Sequence, residues 1–494
     1  VETIMSISSV VRAVRVFIDL SIGLFTWNQN YEIFPTGKSD IFYMILEYTS
    51  ISMTEKELFE HVLHHAPALK LLLERYGNLS VYDYGKTFYK NSNTSPQKET
   101  FLQLIESYTH WKHGIHMSQK VRESLENNYV VATSDHHGPM GHPFFFQSSI
   151  LRGLVHPAHP IINLCTSHVS LWNSSYPRGF MLQSDTKNIP LYLPFFSASK
   201  RMSPVFSYPA FTERDIQTYC LPQLARHVSL WNLSTIKADK IRYWMEENLF
   251  SSHIIQQKTY SDQITLINGK IWSDIFPKNM PDFIPLDGED FVRYILIEHI
   301  KIGGFLTTLL WWDGIHESIE QNFDKISCCF DIKGKKGTYL FWYLDENNHR
   351  HALWRKWDSL ESETSTVHIR LEKESLLDAL QKGYIIPSGL LMYTILAGYY
   401  GLRCFGGYAQ GTYLPDVLTA YEKTVSQSID IPESILCEDM IFSHTEKWTI
   451  TTALDMLYNP SLADTQKLLS DAKNTSLEES IKSMLPEIAR CISF

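Results

Sequence analysis

One run limits what this chain can fold into more than any other. Tyr129-Val130-Val131-Ala132-Thr133 is a short β-branched run of buried-strand type, followed by a Gly- and His-rich turn. Pro143 then opens a helix over Phe144–Gly153, because proline is favoured in a helix's first turn, where its missing N–H has no partner to lose. The next strand is Ile161-Ile162-Asn163-Leu164-Cys165, entered by His159-Pro160. Near-continuous apolar strands are what a sheet covered on both faces requires. Strand, glycine loop, helix, strand predicts an α/β fold with a parallel sheet.

Around this core the signals are mostly helical. Residues 1–128 read as helices, with Thr54 as an N-cap before Glu55–Leu63, a second run at Ala68–Tyr76 closed by Gly77-Asn78, and a third opened by Thr94-Ser95-Pro96. The span 185–215 carries Pro190, Pro194, Pro204 and Pro209 and reads as loop. Helices and strands then mix, including Phe291–His299, Ile302–Leu310 and the strand-like Thr338–Leu344. Gly383–Gly411 is apolar, glycine-rich and expected to be buried, and the tail from Pro432 is helical with a capping box at Ser476 and Glu479. The expected division is 1–128 helical, 129–345 α/β core, 346–431 a glycine-rich α/β continuation packed on the core, and 432–494 helical. His168-Val-Ser-Leu-Trp172-Asn173 recurs as His227-Val-Ser-Leu-Trp231-Asn232, either two equivalent corners or a coincidence.

Composition removes several function classes. Of 494 residues, 44 are Lys or Arg and 54 Asp or Glu, a net charge of −10 that opposes phosphate-tracking nucleic-acid binding. The most apolar stretch, Ile4–Phe25, is interrupted by Arg12, Arg15 and Asp19 and reads as an amphipathic core helix rather than a membrane span or signal peptide. Seven cysteines without a C-x-x-C pair argue against a zinc ribbon and point to a reducing, cytoplasmic setting. The expected partner is a small-molecule substrate, with no nucleic acid and no membrane; a homo-oligomer is possible.

Histidine is the remaining signal: nine of 20 fall between His110 and His168. The densest part is Thr133-Ser134-Asp135-His136-His137-Gly138-Pro139-Met140-Gly141-His142-Pro143. A loop at the carboxyl end of a parallel strand, leading into a helix N-terminus, is where open α/β sheets bind ligands. Gly138 and Gly141 would let backbone amides approach an anion. Histidine can hold a proton near neutral pH, bind an anion as a cation, or ligate a metal when neutral. The competing reading is a polar turn whose histidines cap the helix.

Other patterns are weaker. His137-x4-His142 is too long for a nucleotidylyltransferase H-x-G-H motif. His110, His113 and His116 spread too widely over a helix for a tight ligand triad. Asp313, His316 and Glu317 fit a helix start with Asp313 as N-cap slightly better than an acid/base group. Cys328-Cys329 lies in a strand-like run, where buried inert thiols are the default.

Three stretches together resemble the bacillithiol-biosynthesis cysteine ligase family. That family's first signature is a strand ending in Thr-Gly-Gln-Gln-Pro-Gly, two hydrophobic residues, then Gly-Gly-Pro and a helix. Val130-Val131-Ala132-Thr133, Gly138, Gly141 and Pro143 fall in register with it, while Ser134 replaces the glycine and Asp135 and His136 the glutamine pair. Pro160–Cys165 followed by His168 resembles a second stretch without its acidic residues. Leu390-Leu391 and Gly406-Gly407-Tyr408, with Ala409 and Gln410 beyond, resemble the third without its polar Arg and Gln-Asp. The resemblance implies a Rossmann-like parallel sheet core with helical N-terminal and C-terminal regions and a substrate above the first loop.

The expectation is therefore an enzyme condensing an amino acid or thiol with a small anionic metabolite. His136 or His137 acts as general base with Asp135 orienting it, and His168 binds or polarises the acceptor with His142. Thr133, Ser134, Gly138, Gly141, His142, Gly406, Gly407 and Gln410 line the substrate. Whether ATP or a metal takes part stays open. The alternatives are a metal-dependent hydrolase or oxygenase on the same histidines, and a scaffold that kept the fold and lost the chemistry.

Overall fold

A computed structural model describes residues 54–89, 95–426 and 452–488, apart from 134, 142, 173–177, 188, 278–279, 312–313, 365 and 486–487. Ile4–Phe25, Thr94, Asp313 and the first part of the tail after Pro432 therefore lie outside the described residues.

The N-terminal helices follow the apolar periodicity: α1 (Glu55–His65), α2 (Pro67–Tyr76, proline at its start), α3 (Val81–Thr87, capped by Ser80) and the antiparallel pair α4 (Lys98–His113) and α5 (Ile115–Asn127), neither of which starts with a side-chain cap. Then come β1 (Val130–Ala132), α6 (Pro143–Val155) and β2 (Ile161–Cys165), as the sequence predicts. Both strands are buried throughout.

The span 185–215 departs from the loop reading, because β3 (Gly179–Gln183) and β4 (Pro190–Pro194) form an antiparallel hairpin. Pro190 and Pro194 sit at the ends of an edge strand, where a missing N–H is tolerated. After α7 (Leu221–Ser229), α8 (Thr235–Leu249) and α9 (Tyr260–Ile275) comes β5 (Phe283–Asp287), running directly into α10 (Gly288–Ile302). The helix α11 (Ile315–Phe323) begins at Gly314 with no side-chain cap.

Cys328 and Cys329 fall in a turn just before a small hairpin of β6 (Phe330–Asp331) and β7 (Lys336–Gly337), not in a strand. Next come β8 (Phe341–Leu344), β9 (Arg350–Lys356), β10 (Ser359–Ser362), β11 (His368–Arg370) and β12 (Ile385–Pro387). These five make an antiparallel sheet in the order β11-β10-β9-β8-β12. The α-helix α12 (Gly389–Tyr393) continues as a π-helix over Thr394–Tyr399. It is followed by β13 (Arg403–Phe405), α13 (Tyr408–Val425) and, past the undescribed stretch, α14 (Ala453–Tyr458).

The chain is a mixed α/β protein with a four-stranded parallel sheet, ordered β13-β1-β2-β5. Val130 pairs with Arg403, Ala132 with Phe405 and Asn163, and Cys165 with Asp287. One buried cluster runs from Phe101 and Val131 through Leu164 and Leu286 to Leu353, Ile385 and Tyr421, joining both larger sheets to α4, α10 and α13. Residue 345, the expected boundary, lies in the turn between β8 and β9. The capping box at Ser476 is present: its hydroxyl accepts from the Glu479 amide, and Glu479 accepts from the Ser476 amide at 2.9 Å. The two His-Val-Ser-Leu-Trp-Asn copies are not equivalent corners, since His168 follows β2 and His227 lies within α7. No helix among the described residues is long and apolar enough to cross a membrane.

Candidate active site

Because the four strands are parallel, all their carboxyl ends emerge on one edge of the sheet. Thr133 leaves β1, Thr166 to His168 leave β2, Asp287 to Asp290 leave β5, and Gly406 and Gly407 leave β13. The chain steps from β1 to β2 to β5 in one direction while β13 lies on the other side of β1, so the strand order reverses between β1 and β13.

The histidine loop is held tightly at this edge. Beyond β1 the pairing with β2 resumes at His136 and Thr166, and the Asp135 carbonyl accepts from the Thr166 amide at 2.7 Å. The Asp135 carboxylate accepts from the Asn163 amide group, which also contacts Ser149, and the Asn163 carbonyl accepts from Arg152 at 3.0 Å. Asp135 thus belongs to a buried network under the sheet edge. His137 is 1% exposed, and its Nε2 donates to the Ser261 carbonyl at 2.9 Å. Burial, partly opposed by that bond, pushes its pKa down to about 4, so it is neutral at pH 7.

Gly138 and Gly141 are buried as well. The Gly138 amide donates to the His136 carbonyl, and Asn268 of α9 clasps the loop by accepting from the Met140 amide at 2.6 Å and donating to the Gly138 carbonyl. Gly141 lies against Met181 of β3 and accepts from the Ala453 amide at the start of α14. Helix and hairpin cover these two glycines. Ser134 and His142 lie outside the described residues.

At the reversal point, the Thr133 hydroxyl donates to the Gln410 carbonyl oxygen at 2.9 Å, which also accepts from Tyr393 at 3.1 Å. Tyr393 in turn meets the Tyr413 hydroxyl at 2.9 Å. Among the described residues, buried Gln410 Nε2 has no hydrogen-bond partner. The structure thus brings together Thr133, Gly406 and Gln410, as the sequence groups them, with Gly407 capping α13.

His168 is half-buried and stands on a cavity wall. It lines a cavity of 480 Å³ together with Lys325, Cys328, Lys336, Trp342 and Ser388; His136 and His137 are not in its wall. Its Nδ1 stands 2.5 Å from Glu289, a fully buried carboxylate (0% exposed). Trp342 stacks on the His168 ring at 6.4 Å between centroids, and Arg350 lies over Trp342 while donating to the His168 carbonyl. The acidic partner that the sequence lacks beside His168 arrives from the first turn of α10, just past β5 and 121 positions later.

Local sequence explains how it gets there. Asp287 ends β5 and caps α10 by accepting from the Asp290 amide at 2.9 Å, which places Glu289 in the first turn, where the helix dipole favours a carboxylate. Gly288 permits the approach: a Cβ there would stand 2.8 Å from the Met392 methyl and 3.0 Å from the Cys165 carbonyl oxygen. Ser167 ties the acids together, its amide donating to Glu289 at 2.6 Å and its hydroxyl donating to Asp287 at 2.6 Å. Burial alone raises the Glu289 pKa, but the bonds from His168 and Ser167 outweigh it and hold the carboxylate below its ordinary value. Asp287 goes the other way: burial, with Asp290 and Glu289 nearby, pushes it up to about 7. Behind it Asp290 is paired with Lys112 at 3.1 Å and Arg293 at 2.6 Å and stays ionised despite burial.

Of the flanking histidines, His110 and His116 are exposed, as a polar helix face implies, but His113 turns inward. Burial pushes its pKa down to about 4 against the pull of Asp262. His316 is buried on the Tyr339 hydroxyl at 2.9 Å, and Glu317 pairs with Arg355. Among the described residues, no group of three or more His, Cys, Asp or Glu side chains is arranged to hold a metal ion. Compared with known proteins, the chain matches no family model and no curated protein.

Sequence reasoning missed Glu289, Asp287 and Ser167. The available signal was Phe283-Ile284-Pro285-Leu286 ending in Asp287-Gly288-Glu289-Asp290: an apolar run, a capping aspartate and an acidic first turn.

Proposed function

We propose that this chain is an enzyme in which His168, oriented by Glu289, acts as general base on an amine or thiol that attacks a small anionic metabolite. The observation that carries the reading is the 2.5 Å contact from His168 Nδ1 to a fully buried carboxylate, with the histidine on a cavity wall. A carboxylate on Nδ1 fixes the tautomer with its proton there, leaving Nε2 to accept one, and stabilises the imidazolium that results. Lys325 and Lys336 line the same cavity and suit an anionic substrate. The base's role passes from His136 and His137 to His168, with Asp135 holding the loop that precedes it. A Rossmann-like core and a cysteine-ligase-like condensation belong to this proposal. They draw support from the strand-order reversal at Thr133 and Gly406 and from the sequence resemblance.

A second reading, a scaffold that lost its chemistry, is favoured by two observations. The first loop is covered rather than open, and Trp231 (83%) in the corner between α7 and α8 is exposed, as are Ile236 (72%) and Tyr243 (66%) along α8. A thermal-shift screen of amino acids, thiols, sugar phosphates and dicarboxylates separates the two, because a ligand of the folded state raises its melting temperature. The enzyme reading expects an anionic hit that Lys325→Glu with Lys336→Glu abolishes. It also expects turnover to fall by about 10²–10⁴-fold in His168→Gln while binding persists. Folded His168→Gln and Glu289→Gln proteins that keep full turnover end it.

A further inference from the structure

The adjacent cysteines in the cavity wall take no part in base catalysis by His168. In a strand, neighbouring side chains point to opposite faces. Here Cys328 has φ 70° and Lys325 φ 69°, both left-handed. Such a backbone costs a non-glycine residue on the order of 1 kcal/mol and persists only where the surroundings enforce it. Gly389 is part of that enforcement: a Cβ at 389 would stand 2.6 Å from the Cys328 carbonyl oxygen, so only glycine lets the two backbones meet. Both residues consequently line the one cavity, with Cys328 Sγ and Cys329 Sγ 4.0 Å apart and unbridged.

We propose that Cys328 and Cys329 form a binding site for one soft, thiophilic ion of the Cu(I) class. Metal–sulfur bonds run at about 2.3 Å. Two sulfurs on one ion then stand ~3.8 Å apart at a tetrahedral angle and ~4.6 Å apart when collinear, and the observed separation falls between these limits. Sulfur donors select soft ions over hard ones. Binding replaces two S–H protons by two metal–sulfur bonds; copper stays in its +1 state, both protons leave to water through the cavity, and the product carries one negative charge. Lys325 and Lys336 on the same cavity offset that charge. Burial and the neighbouring thiol raise the Cys328 pKa. The site uses atoms other than the His168–Glu289 pair and does not depend on the base-catalysis reading.

The test uses the full chain carrying Cys437→Ser and Cys491→Ser, which removes the two cysteines outside the described residues. Reduced, anaerobic protein is titrated with Cu(I) supplied as its acetonitrile complex, in competition with a chromogenic Cu(I) chelator. One bound equivalent is expected, weakened at least about tenfold by Cys328→Ser or Cys329→Ser and unaffected by Cys220→Ser. On the unsubstituted chain, which bypasses any folding defect of the variants, Cu(I) slows iodoacetamide alkylation of the peptide carrying Cys328. Absence of a bound equivalent, binding that survives in both serine variants, or alkylation indifferent to Cu(I) overturns the site.

Discussion

His137→Gln isolates one buried group and converts its environment into a pH dependence. In the folded chain His137 titrates at about 4 because burial disfavours its charged form; unfolded, it returns to 6.5. A depressed histidine contributes stability that is present above 6.5 and is lost as pH falls towards 4, because the unfolded chain takes up the proton first. At about 1.4 kcal/mol per unit, the gap between 6.5 and about 4 corresponds to roughly 3 kcal/mol over the whole window, of which about 2 kcal/mol is lost by pH 5. Glutamine keeps a donor for the Ser261 carbonyl and carries no titratable group. Urea unfolding of wild type and variant at pH 7.5, 6 and 5 should therefore show the wild type losing about 2 kcal/mol more than the variant on going to pH 5. Comparing the two proteins cancels what Asp287, shifted the opposite way, contributes to both, and leaves of the His113 contribution only the part that His137 itself imposes. Parallel loss of stability down to pH 5 would show that His137 is already accessible to protons and refute the account of a sealed loop.

Three further substitutions probe the same edge and the chain beyond it. Asp287→Asn tests the acid pushed up to about 7: its raised pKa makes the wild type lose stability as pH rises from 3.8 towards 7, so the variant gains on the wild type between pH 5 and pH 8 in the same unfolding assay. Gly288→Ala sets a methyl against Met392 and the Cys165 carbonyl and should cost about 1–3 kcal/mol, read as a lower denaturation midpoint with an unchanged slope. Ser476→Ala removes the capping box from the helix Leu477–Lys482 and should cost about 1 kcal/mol, with no change in ligand binding at the cavity, whose wall this helix does not line.

What the sequence made legible follows from how far apart the interacting residues lie. β2 spans Ile161–Cys165 as read, and the Ser476 cap is where the spacing puts it, because short-range patterns specify both. Thr133 and Gln410 meet, although only the family resemblance, not any local pattern, joined those two stretches. The histidine excess was a true marker of the sheet edge but a poor guide to which ring faces the cavity. That choice depends on Asn268, Ser261 and α14 closing over the loop, and no local pattern announces them. His168 looked unsupported because its carboxylate partner comes from another strand end. The cysteine pair was misread as strand because β-type residues at Phe330 and beyond masked a left-handed turn at Cys328.

The strand order has a consequence for how this protein comes into being. β1 lies in the interior of its sheet, yet its neighbour on one side, β13, is joined to it through Val130–Arg403, and nearly the whole core is made in between. During synthesis β1 and β2 emerge early and have one open flank until Arg403–Phe405 leaves the ribosome. Non-local pairing of this kind slows folding, and an open, apolar strand edge invites pairing with other chains. A chain cut before Arg403 is therefore expected to offer that flank to other chains, and aggregation of such fragments in vitro would check it.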